Sequence, residues 1–257
     1  MNIQNLSTVN YYCKAQNPSF KSWTREVLSK TSDPNSFTKK IQHRNDTWLF
    51  RECLDWNRFG KFLVEKYKNI PKINVLNYAC SNGSEAYTFI MEMFSHHDYD
   101  VAAKFMPVIA KDYDKVAIDY ANSGLLKIEK GEVGLVNSAT DNQFFMFFTE
   151  SDLYEKDLYE PRHILHNNVI FSQADILEDY KTIPKNNSVI LARNFWPYLK
   201  YNDRINLAKN LYEHLGDNCT LVIGNFDNIG SWDATPTKQI LKNVGFKETE
   251  IENVFTK

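Results

Sequence analysis

The chain has 257 residues, of which 43% are apolar and 24% charged, and its formal net charge is −2. That length and mixture can bury a full core in one large domain, or in one domain with a small appendage, while the near-neutral balance carries no strong nucleic-acid signal. No stretch reaches the ~20 apolar residues of a membrane span, and MNIQNLSTVNYY lacks the basic start and apolar run of a signal peptide, so a cytoplasmic protein without membrane insertion is expected.

Up to residue 44 the chain carries Lys14, Lys21, Arg25, Lys30, Lys39, Lys40 and Arg44 against only Glu26 and Asp33. A solvated helical face or a surface for an acidic partner would both account for this. TSDPNSFTKK reads as a loop between weak helices. From Asn45 or Asp46, either able to cap a helix, Trp48, Phe50, Trp56, Phe59, Leu63 and Tyr67 follow at loosely helical spacing until Pro71. Residues 1–70 are therefore expected to be an N-terminal helical segment and 71–257 the main domain.

Beyond Pro71, strand-like and helix-like runs alternate. Strands are predicted over 73–79, 105–112, 168–175, 188–194 and 220–227, and helices over 84–94, 115–123, 203–215 and 236–244. This order predicts an α/β domain with a mostly parallel sheet covered on both faces. The tail FKETEIENVFTK alternates apolar and polar residues, so a last strand fits there, with antiparallel pairing allowed. Residues 124–167 are poorly determined, and FFMFF (144–148) fits either helix or strand. Cys13, Cys53, Cys80 and Cys219 form no CxxC pair, which predicts reduced, mostly structural thiols.

Ligands of open parallel sheets sit beyond the carboxyl ends of the strands. The residues there are Cys80, Ser81, Asn82, Gly83 and Glu85 after the first strand, then Asp112 and Asp114, Asp175 and Ile176, and Arg193 and Asn194 after the next three. A dinucleotide loop would be GxGxxG. VLNYACSNGSEAY has a single glycine and puts Glu85 where a phosphate would be repelled. S-adenosylmethionine suits the loop better, since it has no phosphate, carries a positive sulfonium and ammonium, and offers a ribose diol to an acidic acceptor. Asp112 is placed for the diol, Glu85 for the cationic methionine end or for ordering the loop, and Asp175 and Ile176 for the edge and face of the adenine. Singly, Glu85 and Asp112 could instead cap the helices that follow them.

Four blocks in order also resemble the CheR-type chemotaxis receptor methyltransferases, a Rossmann-like class I family. They are NDTWLFRE (45–52), ACSNGSEAYTFIME, IAKDYDKVAIDYANSGLL and VILARNFWPYLKYNDR, together spanning about residues 45–230. The resemblance implies cofactor contacts from Asn45, Thr47, Arg51, Glu85, Asp112, Asp175, Ile176, Arg193 and Asn194. It also implies that Arg51 and Tyr198 lie nearest the transferring methyl. Thr47 and Arg51 are four apart, so on a helix they would share one face. The chain departs from the family pattern at Ser84 and Ala86, at Trp196 and Pro197, in IGNFDN after the fifth strand and in GDNC before it.

The implied activity is methyl transfer to a glutamate carboxylate of a protein, leaving S-adenosyl-L-homocysteine. The implied partner is an acceptor with exposed glutamates, of chemoreceptor type. Rival readings are a methyltransferase acting on a small molecule or RNA, and a SAM-binding regulatory protein without turnover. No metal is expected, because His96-His97-Asp98 and His163 with His166 are short clusters without a third partner.

Overall fold

A computed structural model describes residues 47–51, 54–153, 156–228 and 235–257. The first described helix is α1 (Trp56–Lys66), capped by Asp55, whose side chain accepts from the Arg58 N–H. The central strands are β1 (Asn74–Tyr78) and β2 (Val108–Asp112), separated by α2 (Ser84–His96) and the short α3 (Tyr99–Ala103). Next come α4 (Lys115–Ser123), β3 (Leu126–Lys127), α5 (Lys130–Ala139), α6 (Phe144–Phe147), β4 (Phe148–Glu150), β5 (Leu158–Pro161) and α7 (His163–His166). The remainder is β6 (Val169–Gln173), α8 (Ile176–Asp179), β7 (Ser188–Ala192), α9 (Tyr201–His214), β8 (Cys219–Val222), α10 (Thr237–Val244), β9 (Lys247–Glu248) and β10 (Val254–Thr256).

Seven strands form one sheet in the order β6-β2-β1-β7-β8-β10-β9. The pairs β1–β2, β2–β6, β1–β7 and β7–β8 are parallel, and β10 runs antiparallel between β8 and β9. The chain proceeds from β1 outward through β2 to β6, then returns to the other side of β1 with β7. Strand order therefore reverses between β1 and β7, the place where a doubly wound sheet opens a crevice.

Side-chain alternation along these strands divides the core between the two faces. Val75, Val189 and Leu191 pack with Phe59 and Leu63 of α1 and Phe89, Ile90 and Met93 of α2. Leu76, Tyr78 and Ile190 pack with Leu207, Ala208 and Leu211 of α9 and Ile240 and Leu241 of α10. Because both faces are covered, every residue of β7 is buried.

The undetermined stretch is an insertion between α4 and β6 that carries a small antiparallel sheet of order β3-β5-β4. FFMFF uses both states. Phe144 and Phe147 are buried at helical spacing while Phe145 and Met146 are exposed, and Phe148 then begins β4.

The helix expected from Asn45 or Asp46 does not form over the described residues 47–51. Phe50 is left-handed, at φ 52°. The backbone N–H groups that a helix would use are bound by side chains from elsewhere: Leu49 N–H donates to Glu132 Oε1 at 2.6 Å, and Phe50 N–H to Thr88 Oγ1 at 2.9 Å. Thr47 and Arg51 thus belong to an irregular strap, and the shared helical face expected of them does not exist. Asn45 and the basic front lie outside the described residues.

Candidate functional site

The loop joining β1 to α2 has left-handed backbone at Ala79 (φ 55°), Ser81 (φ 51°) and Gly83 (φ 89°). Only at Gly83 does packing also forbid a side chain, since a Cβ there would lie 2.6 Å from Phe171 Cζ. Asn82 steadies the helix start by accepting from both the backbone N–H and the hydroxyl of Ser84, at 3.0 and 2.7 Å. Cys80 is fully enclosed, and burial pushes its thiol well above the ordinary range, so it is no nucleophile.

Glu85, in the first turn of α2, does not cap that helix. The N-cap is Gly83, and the Glu85 carboxylate instead accepts from Asn77 Nδ2 of β1 at 2.9 Å and from Arg193, just beyond β7, at 2.7 Å. The Arg193 side chain is 2% exposed and that of Glu85 14%, so the pair is a buried bridge across the point where strand order reverses. The Trp56 ring covers the Arg193 guanidinium at 5.2 Å.

Asp112 ends β2 on the adjacent strand. Its Oδ2 accepts the Ser81 N–H and its Oδ1 the Asp114 N–H, both at 2.8 Å. It therefore ties the first loop to the second, and the cap of α4 is Asp114, which accepts from the Val116 N–H. Burial pushes the Asp112 carboxyl up to about 6, against the pull of these two N–H donors. A carboxylate offers about four acceptor positions, so acceptor capacity is left for a ligand such as a diol.

Asp175 caps α8 by accepting from the Leu177 N–H at 2.9 Å. Ile176 is buried in the core face that includes Leu76 and Tyr78. Asn194 is left-handed (φ 65°), and its N–H donates to Asp227 Oδ2 at 2.8 Å. Tyr198 closes a 3-10 turn (Trp196–Tyr198) and tilts against Phe226 with ring centroids 5.7 Å apart.

The strap is brought to the same end of the molecule from both sides. Phe50 is tied to Thr88, one turn along α2 from Glu85, and Trp56 lies on Arg193. Between these anchors, the Arg51 guanidinium stands 4.7 Å from the centroid of the Trp48 ring. Glu132, from the insertion, is buried, and burial pushes its carboxyl up to about 8.

The expected residues Glu85, Asp112, Arg193 and Asn194 thus lie at the carboxyl ends of neighbouring strands, and Arg51 directly follows Phe50, which is tied to α2 through Thr88. Sequence reasoning missed Asn77, Thr88, Glu132 and Asp227. Of these, Asn77 left a trace as a polar residue inside the apolar run VLNY. Among the described residues no group of three or more His, Cys, Asp or Glu side chains is arranged to hold a metal, and no helix is long and apolar enough to cross a membrane.

The model of the CheR methyltransferase SAM-binding domain matches residues 45–245. No curated protein matches the chain. Among solved structures, a TehB-like SAM-dependent methyltransferase from Corynebacterium glutamicum is similar at 16% identity and a TM-score of 0.39, over 77% of this chain and 86% of that one. TehB from Haemophilus influenzae is similar at 14% identity and a TM-score of 0.31, over 63% of this chain and 39% of that one. PKMT2 from Rickettsia typhi, in complex with AdoHcy, is similar at 11% identity and a TM-score of 0.38, over 69% of this chain and 26% of that one. The chain thus spans less than two thirds of the latter two, and the likeness to all three is remote.

Proposed function

The chain belongs to the CheR methyltransferase family and is a Rossmann-like, SAM-dependent methyltransferase, and from that premise we propose that it methylates glutamate carboxylates of a protein acceptor. The observation that supports this reading is the strap, because Phe50, the residue directly before Arg51, is tied to Thr88 one turn along α2 from Glu85, and Trp56 lies on the Arg193 of the Glu85–Arg193 bridge. A guanidinium matches a carboxylate in shape and charge.

The residues fit the cofactor. Asp112 keeps acceptor capacity for the ribose hydroxyls beyond its two backbone bonds. Glu85 would face the ammonium of the methionine end while Arg193 holds it in place. Thr47, Asp175, Ile176 and Asn194 complete the proposed contacts, as does Asn45 outside the described residues. S-adenosylmethionine, when bound, supplies a methyl group made electrophilic by the sulfonium.

Arg51 and Tyr198 are proposed to orient the acceptor carboxylate in line with that methyl group. A carboxylate of ordinary pKa near ~4.3 is already ionised at neutral pH, so no general base is needed. The bound cofactor would supply the methyl for the new O–CH3 bond and keep the electron pair of the broken S–CH3 bond on its sulfur, as S-adenosyl-L-homocysteine. What the protein contributes is alignment and the exclusion of water while opposite charges neutralise each other. The acceptor would be a protein with exposed glutamates, such as a chemoreceptor, placing the enzyme in chemotaxis within the cytoplasm.

The test is a transfer assay with methyl-labelled S-adenosylmethionine and host lysate. Carboxyl transfer predicts label that mild base releases as methanol. Base-stable label would overturn the carboxylate assignment and move the acceptor to nitrogen or carbon, on a small molecule or RNA. Tight cofactor binding with no labelled product from any fraction would favour a regulatory protein without turnover.

A further inference from the structure

The loop after β8, GNFDN, contains a carboxylate that the reading above leaves without a role. Asp227 is 1% exposed. It accepts three backbone N–H groups, from Gly224 at 2.7 Å and Asn194 at 2.8 Å on Oδ2, and from Trp196 at 3.1 Å on Oδ1. Two of the three donors belong to the junction after β7, so this one side chain fastens two neighbouring strand-to-helix junctions together.

The fastened turn is an unusual one. Asn194 is left-handed without being glycine, which costs free energy unless its surroundings hold it. Its side chain lies so close over Gly224 that a Cβ there would come 2.0 Å from Asn194 Oδ1. The turn is further secured by the Trp196 indole, which donates to the Ala192 carbonyl at 2.7 Å, and by the Tyr198 N–H, which donates to the Phe195 carbonyl at 2.9 Å. Phe226, adjacent to Asp227, is the ring on which Tyr198 rests.

We propose that Asp227 is a positioning residue of the cofactor site: through three backbone bonds it sets the turn that presents Asn194 to the bound nucleoside and, beyond it, Tyr198 to the acceptor carboxylate. This rests on the reading of Asn194 as a cofactor contact. A carboxylate is required because it is acceptor-only, whereas an asparagine would turn an NH2 group toward at least one of the three N–H donors.

The experiment needs no methyl acceptor. Calorimetric titration with S-adenosylmethionine is run on the wild type, Asp227→Asn, Asn194→Ala and the double variant, with a thermal melt of each. The expected result is that Asp227→Asn weakens binding about tenfold or more, the worth of a hydrogen bond to a charged group, and that it adds less than about twofold in the Asn194→Ala background. A lowered melting temperature with unchanged affinity would make Asp227 a purely structural clamp and overturn the proposal, as would independent effects that multiply in the double variant. Unchanged affinity in Asn194→Ala would instead overturn the underlying reading of Asn194. Should Asp227→Asn fail to fold, Gly224→Ala displaces the Asn194 side chain while leaving the carboxylate intact. Weakened binding in that variant supports the proposal, and wild-type affinity refutes it.

Discussion

Asp112 couples cofactor affinity to pH in a way that can be worked out from its surroundings. Its carboxyl is buried and pushed up from 3.8 to about 6, about two units or ~3 kcal/mol of cost to the charged form. Because the folded value is the higher one, the group's stabilising contribution is full below about pH 4 and is lost as pH rises through about 6. The wild type therefore carries an ionised, poorly solvated Asp112 at neutral pH, which is reasonable if the charge serves binding. With a value of about 6, the carboxyl is mostly protonated at pH 5 and mostly ionised at pH 7. If the ribose diol donates to the charged form, affinity for S-adenosylmethionine should improve about tenfold, or ~1.4 kcal/mol, over that interval. Calorimetry at pH 5, 6 and 7 measures this below the midpoint near ~7.7 of an α-ammonium such as the ligand's own. Asp112→Asn should bind more weakly at pH 7 and show a flatter profile. Glu92, whose carboxyl burial pushes up to about 7, titrates in both proteins and so cancels in the comparison. Parallel pH profiles for the two proteins would remove Asp112 from the binding step.

Arg193→Ala should destabilise the fold by about 2–4 kcal/mol, because it leaves the largely buried Glu85 without its cation; urea denaturation measures it, and a loss under ~1 kcal/mol would mean that the bridge is open to water. Gly83→Ala combines a left-handed φ of 89° with a Cβ 2.6 Å from Phe171, so a loss of about 1–3 kcal/mol is expected together with weaker cofactor binding. Glu132 is raised from 4.5 to about 8, so its stabilising contribution is full below about pH 4.5 and falls away by about pH 8. Glu132→Gln should therefore gain stability relative to the wild type between pH 5 and 8, and thermal melts across that range would show the gap widening; a constant gap would mean that the carboxyl is not buried as described.

Periodicity carried the architecture. The run 115–123 is the helix α4 to the residue, the runs around β1, β2, β6 and β7 each contain the observed strand, and the run 220–227 overlaps β8 only over 220–222. Apolar spacing is a local property that survives in any tertiary setting. The insertion was not legible, because β3 to β5 are two to four residues long and such strands have no pattern of their own. The strap was misread for a related reason: Trp48 and Phe50 suit a helix in isolation, and only the acceptors on Thr88 and Glu132, 38 and 83 residues away in the chain, draw its N–H groups elsewhere.

By itself, then, the sequence determined the alternation of strands and helices, the glycine-poor loop suited to a cationic nucleoside, and the acidic residues at the strand ends, since each depends on neighbours a few positions apart. Only the tertiary structure decided that Glu85 is bridged to Arg193, that Asp112 ties two loops together, and that Asp227 fastens the turn at Asn194. Those are choices of hydrogen-bond partner between distant segments, and a buried donor or acceptor takes whichever partner the completed fold brings within reach.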